Sequence, residues 1–157
     1  MKIILMAVGK TATDYISKGI EGFVKRINHY LPMEMVIVPD IKSSKALTED
    51  AQKQREGQTI ISMLQPGDVV VLLDERGKEF TSREFAAYVD KKMVQGIKRL
   101  IFVIGGPYGF SSEMYQRANE KISLSRMTFT HEMVRLFFVE QIYRAMTILR
   151  GEPYHHD

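Results

Sequence analysis

Five short apolar runs, separated by longer amphipathic segments, set the pattern of this sequence. The runs have the length of strands and cover residues 2–8, 33–38, 68–73, 100–104 and 121–125. Between them, apolar residues recur every three or four positions, which is typical of helices that bury one face. This alternation predicts an α/β fold, with a mostly parallel sheet and helices on both of its faces.

Capping residues mark where the predicted helices begin and end. The helical spacing covers residues 13–29, 49–64, 81–95, 112–119 and 133–149, and residues 41–47 form a polar loop. Thr81 and Glu84 have the spacing of a capping box, and Thr48 is a further N-cap candidate. The last helix is apolar over most of its circumference, more than one sheet face can cover. We therefore expect part of it to pack against another subunit.

The fourth predicted strand runs into a glycine-rich turn. Residues 101–110 read IFVIGGPYGF, so Gly105 and Gly106 follow the apolar run directly. Glycine allows a ligand to approach the backbone where a Cβ would obstruct it, and Ser111 and Ser112 can cap the next helix. Open α/β folds bind ligands at the carboxyl ends of their strands. The turn is therefore a candidate wall of a binding site, with a tight connecting loop as the plain alternative.

Composition narrows the classes of protein. A chain of 157 residues fits a single domain, and the absence of cysteine excludes disulfides, thiolate nucleophiles and cysteine-ligated metals. No apolar run is long enough to span a bilayer and no signal pattern is present, so we expect a cytoplasmic protein without a membrane partner. The net charge of +3 permits an RNA partner but does not require one.

Several familiar motifs are incomplete. Residues 9–11 read GKT, but a P-loop would need glycine where Ile4 stands, and a dinucleotide fingerprint from Gly105 would need glycines at positions 107 and 110. His131 and Glu132 begin an HExxH pattern that Arg135 interrupts, so no metal site is expected.

Three segments that follow predicted strands should meet at the carboxyl edge of the sheet, namely residues 72–78, 105–110 and 124–129. Their backbone groups and apolar side chains suit an adenine ring and a ribose better than a triphosphate, because no lysine or glycine cradle for phosphates is present. Simple core packing is the alternative for these apolar positions. On the last helix, Glu140 and Arg144 have the spacing of a helical salt bridge.

Six motifs in this order resemble the small SPOUT-class methyltransferases that modify pseudouridine in bacterial 23S ribosomal RNA. The motifs are A-V-G-K, P-D after the second strand, L-D-x-x-G-K, F-V-I-G-G-P-x-G-F, S-L-S-x-M-T-F-x-H and R-G-x-P-Y-H. The resemblance covers essentially the whole chain. It implies methyl transfer from S-adenosylmethionine to N3 of pseudouridine-1915, on assembled ribosomes and without a metal.

The resemblance also implies where the site and the partners lie. Arg144, Tyr154 and His155 would face the nucleotide, with His131 and Glu140 as further candidates. A homodimer would form through the last helix, and a deep trefoil knot would lie in the C-terminal part, which the rarity of knots would not suggest. The cofactor would lie against Leu73, Gly105, Gly106, Leu124, Ser125, Arg126, Met127, Thr128 and Phe129.

The implied chemistry needs alignment of sulfur, methyl and N3 and help for N3 to lose its proton. We expect Arg144 to stabilise the developing anion and His155 to accept or relay the proton. Basic residues such as Arg76 and Arg126 would give phosphate contacts with little sequence reading, so isolated RNA oligomers should be poor substrates. Three alternatives stay open: a non-catalytic RNA-binding or ribosome-binding factor, a SPOUT enzyme with another RNA target, and a flavodoxin-like domain.

Overall fold

The computed structural model describes residues 1–41 and 47–157, so most of the polar loop predicted for residues 41–47 lies outside the described residues. Every predicted strand and helix is present, most within two or three residues of its expected bounds. The elements are β1 Lys2–Val8, α1 Asp14–Ile27, β2 Met33–Val38, α2 Glu49–Ser62, β3 Val69–Glu79, α3 Ser82–Val94, β4 Arg99–Ile104, α4 Ser112–Arg117, β5 Glu120–Ser123 and α5 His131–Leu149.

The five strands form one sheet in the order β2-β1-β4-β3-β5, and all four pairings are parallel. Successive residues of a strand point to opposite faces, so Ile3 and Leu5 pack in one core layer while Ile4 and Met6 pack in the other. Helices α1, α3 and α5 supply side chains to the first layer, and α2 and α4 to the second. The predicted α/β fold with helices on both faces is confirmed.

Strand β3 is longer than predicted, because it includes the polar residues that read as a turn. Ile122 of β5 pairs with both Leu73 and Lys78, so β3 leaves β5 at a register shift and returns to the same residue. A Cβ on Gly77 would lie 2.4 Å from the carbonyl carbon of Ile122. Only glycine fits at this crossing, because the obstacle is backbone that cannot rotate away.

The predicted capping box at the start of α3 is confirmed. The Thr81 hydroxyl accepts from the backbone N–H of Glu84 at 3.2 Å, and the Glu84 carboxylate accepts from the backbone N–H of Thr81 at 2.7 Å. Thr48 caps α2 in the same way, accepting from the N–H of Ala51 at 3.1 Å. These hydrogen bonds fix where both helices begin.

Helix α5 lies between α1 and α3, so this chain covers much of the apolar surface that the sequence suggested was in excess. Phe138, Val139 and Ile142 are fully buried, whereas Phe137 and Leu149 stay 41% and 37% exposed. Contact with a second subunit and the trefoil knot both stay predictions. Within residues 1–41 and 47–157, no helix is both long and apolar enough to cross a membrane.

Candidate functional site

Two of the three segments predicted to meet at the carboxyl edge of the sheet line one cleft there, and the third reaches it through Phe129. The cleft has a volume of about 560 Å³, and its walls are the loop after Leu73, the turn from Gly105 to Phe110, and Phe129. A smaller hollow of about 160 Å³ shares Leu73 and Phe129 with it and is also lined by Leu124, Ser125, Met127 and Thr128 of the third segment. Of the predicted cofactor residues, only Arg126 lines neither space, since it is exposed and paired with Glu79 at 3.7 Å.

Two glycines of the turn pack closely against other parts of the protein, and a third has a positive φ. A Cβ on Gly105 would lie 3.1 Å from the Phe110 ring, and a Cβ on Gly106 would lie 2.5 Å from Oε2 of Glu56. Gly109 has a φ of +82°, and its N–H donates to the carbonyl of Gly106 at 3.1 Å. The contacts with Phe110 and Glu56 and the hydrogen bond within the turn therefore fix its conformation without a ligand.

Glu56 is a buried carboxylate behind this turn that sequence reasoning missed. Its side chain is only 4% exposed, and its Oε1 accepts from the amide of Gln52 at 3.0 Å. Burial raises the pKa of Glu56, and the charge of Asp40 acts in the same direction. Nothing in the sequence marks this position, because Glu56 meets Gly106 only in the folded chain.

The loop after Leu73 is fixed by Asp74. One oxygen of this carboxylate accepts from the Tyr115 hydroxyl, and the other accepts from the backbone N–H of Arg76 at 2.9 Å. Burial and the Asp74 carboxylate raise the pKa of Tyr115 to about 12, so the phenol stays protonated and donates. The two contacts hold the wall of the cleft that faces the glycine turn.

The three predicted catalytic residues lie together in a second cluster, on the C-terminal half of α5 and the tail. Arg144 Nη2 lies 2.5 Å from Oε1 of Glu140, and the Tyr154 hydroxyl donates to the same oxygen at 2.9 Å. Arg144 Nη1 lies 3.2 Å from Nδ1 of His155, and its guanidinium lies 4.8 Å from the centre of the Tyr154 ring. Glu140 thus joins the cluster, which we call the Arg144 cluster.

The partners of His155 assign its tautomer. Nε2 lies 2.8 Å from a carboxylate oxygen of Asp157, which can only accept, so Nε2 carries the proton. Nδ1 faces Arg144, which can only donate, so Nδ1 is unprotonated. Arg83 of α3 holds Asp157 with contacts of 2.7 to 2.9 Å. Hydrogen bonds from Arg83 and His155 lower the pKa of Asp157 to about 2.

The cleft and the Arg144 cluster do not meet within one chain. Two residues of α5, His131 and Val134, line the cleft apart from the cluster, and Val134 is the one nearer the cluster along the helix. At 1.5 Å per residue, Glu140 and Arg144 stand about 9 and 15 Å further along the helix. They are also turned away from Val134 by about a quarter to a third of a turn.

Arg135, which interrupts the HExxH pattern, is a structural residue that the sequence did not reveal. It is 1% exposed and donates to the carbonyls of Val8 and Gly9 at 2.7 and 2.8 Å, and to the Thr11 hydroxyl at 3.0 Å. Burial lowers its pKa. The structural role of Arg135 could not be recognised from the sequence, because its hydrogen-bond partners lie more than 120 residues away in the chain.

A parallel sheet with a cleft at its carboxyl edge, walled by backbone and apolar side chains from loops that follow its strands, is the arrangement in which open α/β proteins bind small ligands. Among the described residues, no group of three or more histidines or carboxylates has the arrangement of a metal site. A family model described as predicted SPOUT methyltransferase matches residues 1–155. The chain therefore belongs to the SPOUT methyltransferase family.

Two named relatives match this chain over essentially their full length, and one solved structure matches it over part of its own. A protein of Parabacteroides distasonis named ribosomal RNA large subunit methyltransferase H is 58% identical over 157 residues, with all of both chains covered. A protein of the same name from Christiangramia forsetii is 56% identical over 99% of each chain. A solved structure of a probable methylase family protein from Haemophilus influenzae Rd KW20 has a TM-score of 0.52 and 12% identity. It covers 96% of this chain, which spans 66% of that one, and it supports the fold alone.

Proposed function

We propose that this protein transfers a methyl group from S-adenosylmethionine to N3 of pseudouridine-1915 in 23S ribosomal RNA, acting on assembled ribosomes in the cytoplasm. The observation that carries the proposal is the presence of a cleft that suits an adenosyl group together with a separate cluster whose arginine, tyrosine and histidine could face a nucleotide. Full-length identity of 50–58% to proteins named for methylation of large-subunit ribosomal RNA supports the choice of substrate.

The residues of the cleft fit the cofactor. Leu73, Leu124 and Phe129 provide apolar surface for the adenine, and the backbone of the glycine turn offers polar groups beside it. The combined space lies in the size range of small-molecule sites. When bound, S-adenosylmethionine supplies a methyl group that is already activated on its sulfonium. The protein therefore has to exclude water, orient the reactants and manage the proton of N3.

The Arg144 cluster suits the nucleotide. We take the pKa of pseudouridine N3 as roughly two units or more above neutral, so its deprotonation needs a nearby cation and a base. Arg144 would turn from Nδ1 of His155 to the developing anion at N3 or O4. That movement frees Nδ1 to accept the proton, while Asp157, which accepts from Nε2, stabilises the imidazolium that forms. Tyr154 and Glu140 hold the guanidinium in position.

The distance between cleft and cluster favours a site shared by two chains. Arg144 stands about 15 Å along α5 from Val134 of the cleft and is turned away from it by about a quarter of a turn. A nucleotide held by Arg144 would have to meet a methyl donor held in a cleft, and this separation within one chain favours a cleft contributed by a second chain. A two-fold pairing of antiparallel α5 helices would bring each Arg144 cluster to the partner's cleft, with Phe137 and Leu149 available for the contact.

The activity is tested with ribosomes that lack the modification. Purified protein and S-adenosylmethionine should methylate them at one pseudouridine, identified by mass mapping, while a naked stem-loop should be a poor substrate. Arg144→Ala should bind the cofactor but lose transfer, and unchanged methylation by this variant would refute the role of Arg144. Methylation of another nucleotide would favour a SPOUT enzyme with a different target, and cofactor binding without transfer would favour a non-catalytic factor.

The shared site is tested by mixing two inactive variants. Gly105→Val crowds the Phe110 ring and should block the cleft, and Arg144→Ala disables the cluster. In co-expressed mixed dimers with shared sites, one of the two sites is intact, so an equal mixture should recover about a quarter of wild-type activity. If each chain used its own cluster, the mixture would show no activity. Each variant mixed with wild-type chain controls for the exchange of subunits.

A further inference from the structure

A second groove, away from the cofactor cleft, lies between α3 and the edge strand β5. Its volume is about 710 Å³, and four of its lining residues are lysines: Lys78, Lys91, Lys92 and Lys121. The acidic residues of the lining are Glu84 and Glu120. Four lysines against two glutamates leave this surface with a net charge of +2. We call it the lysine groove.

Both acidic side chains of the lysine groove are already engaged by the protein. Glu84 accepts from the backbone N–H of Thr81 in the capping box. Glu120 accepts from the Tyr88 hydroxyl at 2.6 Å and from the ammonium of Lys92, which is only 8% exposed. Burial and the Glu120 carboxylate raise the pKa of Tyr88, so this phenol is a donor at neutral pH. The floor is a closed, charge-balanced network.

Three lysines of the lining, one on each element that borders the groove, have no carboxylate partner. Lys78 of β3, Lys91 of α3 and Lys121 of β5 are exposed, and none forms a salt bridge among residues 1–41 and 47–157. The ammonium of Lys78 lies 4.9 Å from the centre of the Phe80 ring, and that of Lys121 lies 5.5 Å from the centre of the Tyr115 ring, contacts that do not neutralise either charge. Because the three ammonium groups lie on separate elements, they suit an extended ligand with several negative charges better than one small anion. The phosphates of a nucleic acid strand have this distribution of charge.

The lysine groove also leads toward the cofactor cleft. Phe80 and Ile122 line both the groove and an apolar hollow of about 270 Å³ beside it. That hollow shares Leu124 and Phe129 with the predicted cofactor segment. A strand in the lysine groove would therefore run along β5 toward the methyl donor.

We propose that the lysine groove binds the phosphate backbone of the substrate RNA next to the target nucleotide. This inference rests on the proposed function, since it assigns a surface to the RNA of that reaction. Contacts of this kind position the substrate without reading its sequence. The groove would then act on affinity for ribosomes and leave the chemical step unchanged.

The test is the double variant Lys91→Gln and Lys121→Gln, compared with Lys18→Gln and Lys25→Gln. The control pair removes the same charge from exposed lysines of α1, which α5 separates from α3 and the groove. Each lysine that contacts a phosphate contributes roughly 0.7 to 0.9 to the slope of log affinity against log salt. The groove variant should therefore lower that slope for 50S subunits by about 1.4 to 1.8, and the control pair should leave it unchanged.

Kinetic constants separate this inference from the proposed function. The groove variant should raise KM for ribosomes severalfold, while kcat at saturating ribosomes and affinity for S-adenosylmethionine stay at wild-type values. A salt slope and KM equal to those of the control pair, with an active wild-type enzyme, would overturn the role of the groove. A wild-type protein that binds 50S subunits with the predicted salt dependence but transfers no methyl group would overturn the proposed function alone.

Discussion

Arg135→Met is expected to destabilise the fold, because Arg135 is almost completely buried and donates three hydrogen bonds. Methionine keeps a long apolar stem in the same space but cannot donate to the carbonyls of Val8 and Gly9 or to the Thr11 hydroxyl. A buried acceptor left without a donor costs about 1–3 kcal/mol. Two carbonyls lose their donor, while the Thr11 hydroxyl can turn to another partner.

A partial gain offsets this loss. The variant no longer buries a guanidinium, whose Nε has no partner among the described residues. We therefore expect the free energy of unfolding to fall by about 2–4 kcal/mol. Urea titration should show a lower midpoint with an unchanged slope, since the area exposed on unfolding is the same. Arg135→Lys keeps the charge but loses the fork of donors, and should lie between wild type and Arg135→Met. A loss below about 1 kcal/mol for Arg135→Met would refute this account, because it would mean that water satisfies both carbonyls.

Three further changes test other parts of the structure. Gly77→Ala places a Cβ against the backbone of Ile122 and should lower both the free energy of unfolding, by about 1–3 kcal/mol or more, and the melting temperature. Gly67→Ala is the control for backbone strain alone, because Gly67 has a positive φ but open space around its Cβ position. Arg83→Ala should raise the pKa of Asp157 from about 2 toward the usual value near 4, because the charge-assisted hydrogen bonds from Arg83 are lost. An NMR titration would measure this pKa, and an unchanged value would contradict the observed pairing. The pKa of Glu56 is raised in the folded state above the unfolded value near 4.5. The free energy of unfolding of the wild-type protein should therefore fall as pH rises from about 4.5 through the raised pKa. Glu56→Gln should abolish that fall, which urea midpoints measured across this pH range would show.

Periodicity alone predicted most of this fold, because strands buried on both faces and helices buried on one face carry strong local patterns. The same reasoning missed the extension of β3, since D-E-R-G-K is a turn sequence by composition and becomes a strand only by pairing with β5. The general rule against knots also gave no hint of the topology that the family resemblance implies.

Part of the candidate site could likewise be predicted from the sequence, and part could not. The three loops of the cleft could be predicted, because parallel strands bring their carboxyl ends to one edge. The tautomer of His155 and the role of Arg83 could not, because they depend on contacts between the tail and α3 that leave no local pattern. The role of Glu56 likewise depends on α2 meeting the glycine turn, which are about 50 residues apart in sequence.

The double pairing of Ile122 changes the behaviour expected of the sheet edge. A four-residue edge strand would ordinarily fray first and offer its free side to other chains. Here β3 holds the same residue of β5 before and after its excursion, so β5 cannot slip by a pair of residues without breaking both contacts. The shortest strand is thereby fixed in register by its neighbour, and its release would disturb β3, whose loop after Leu73 forms a wall of the cleft.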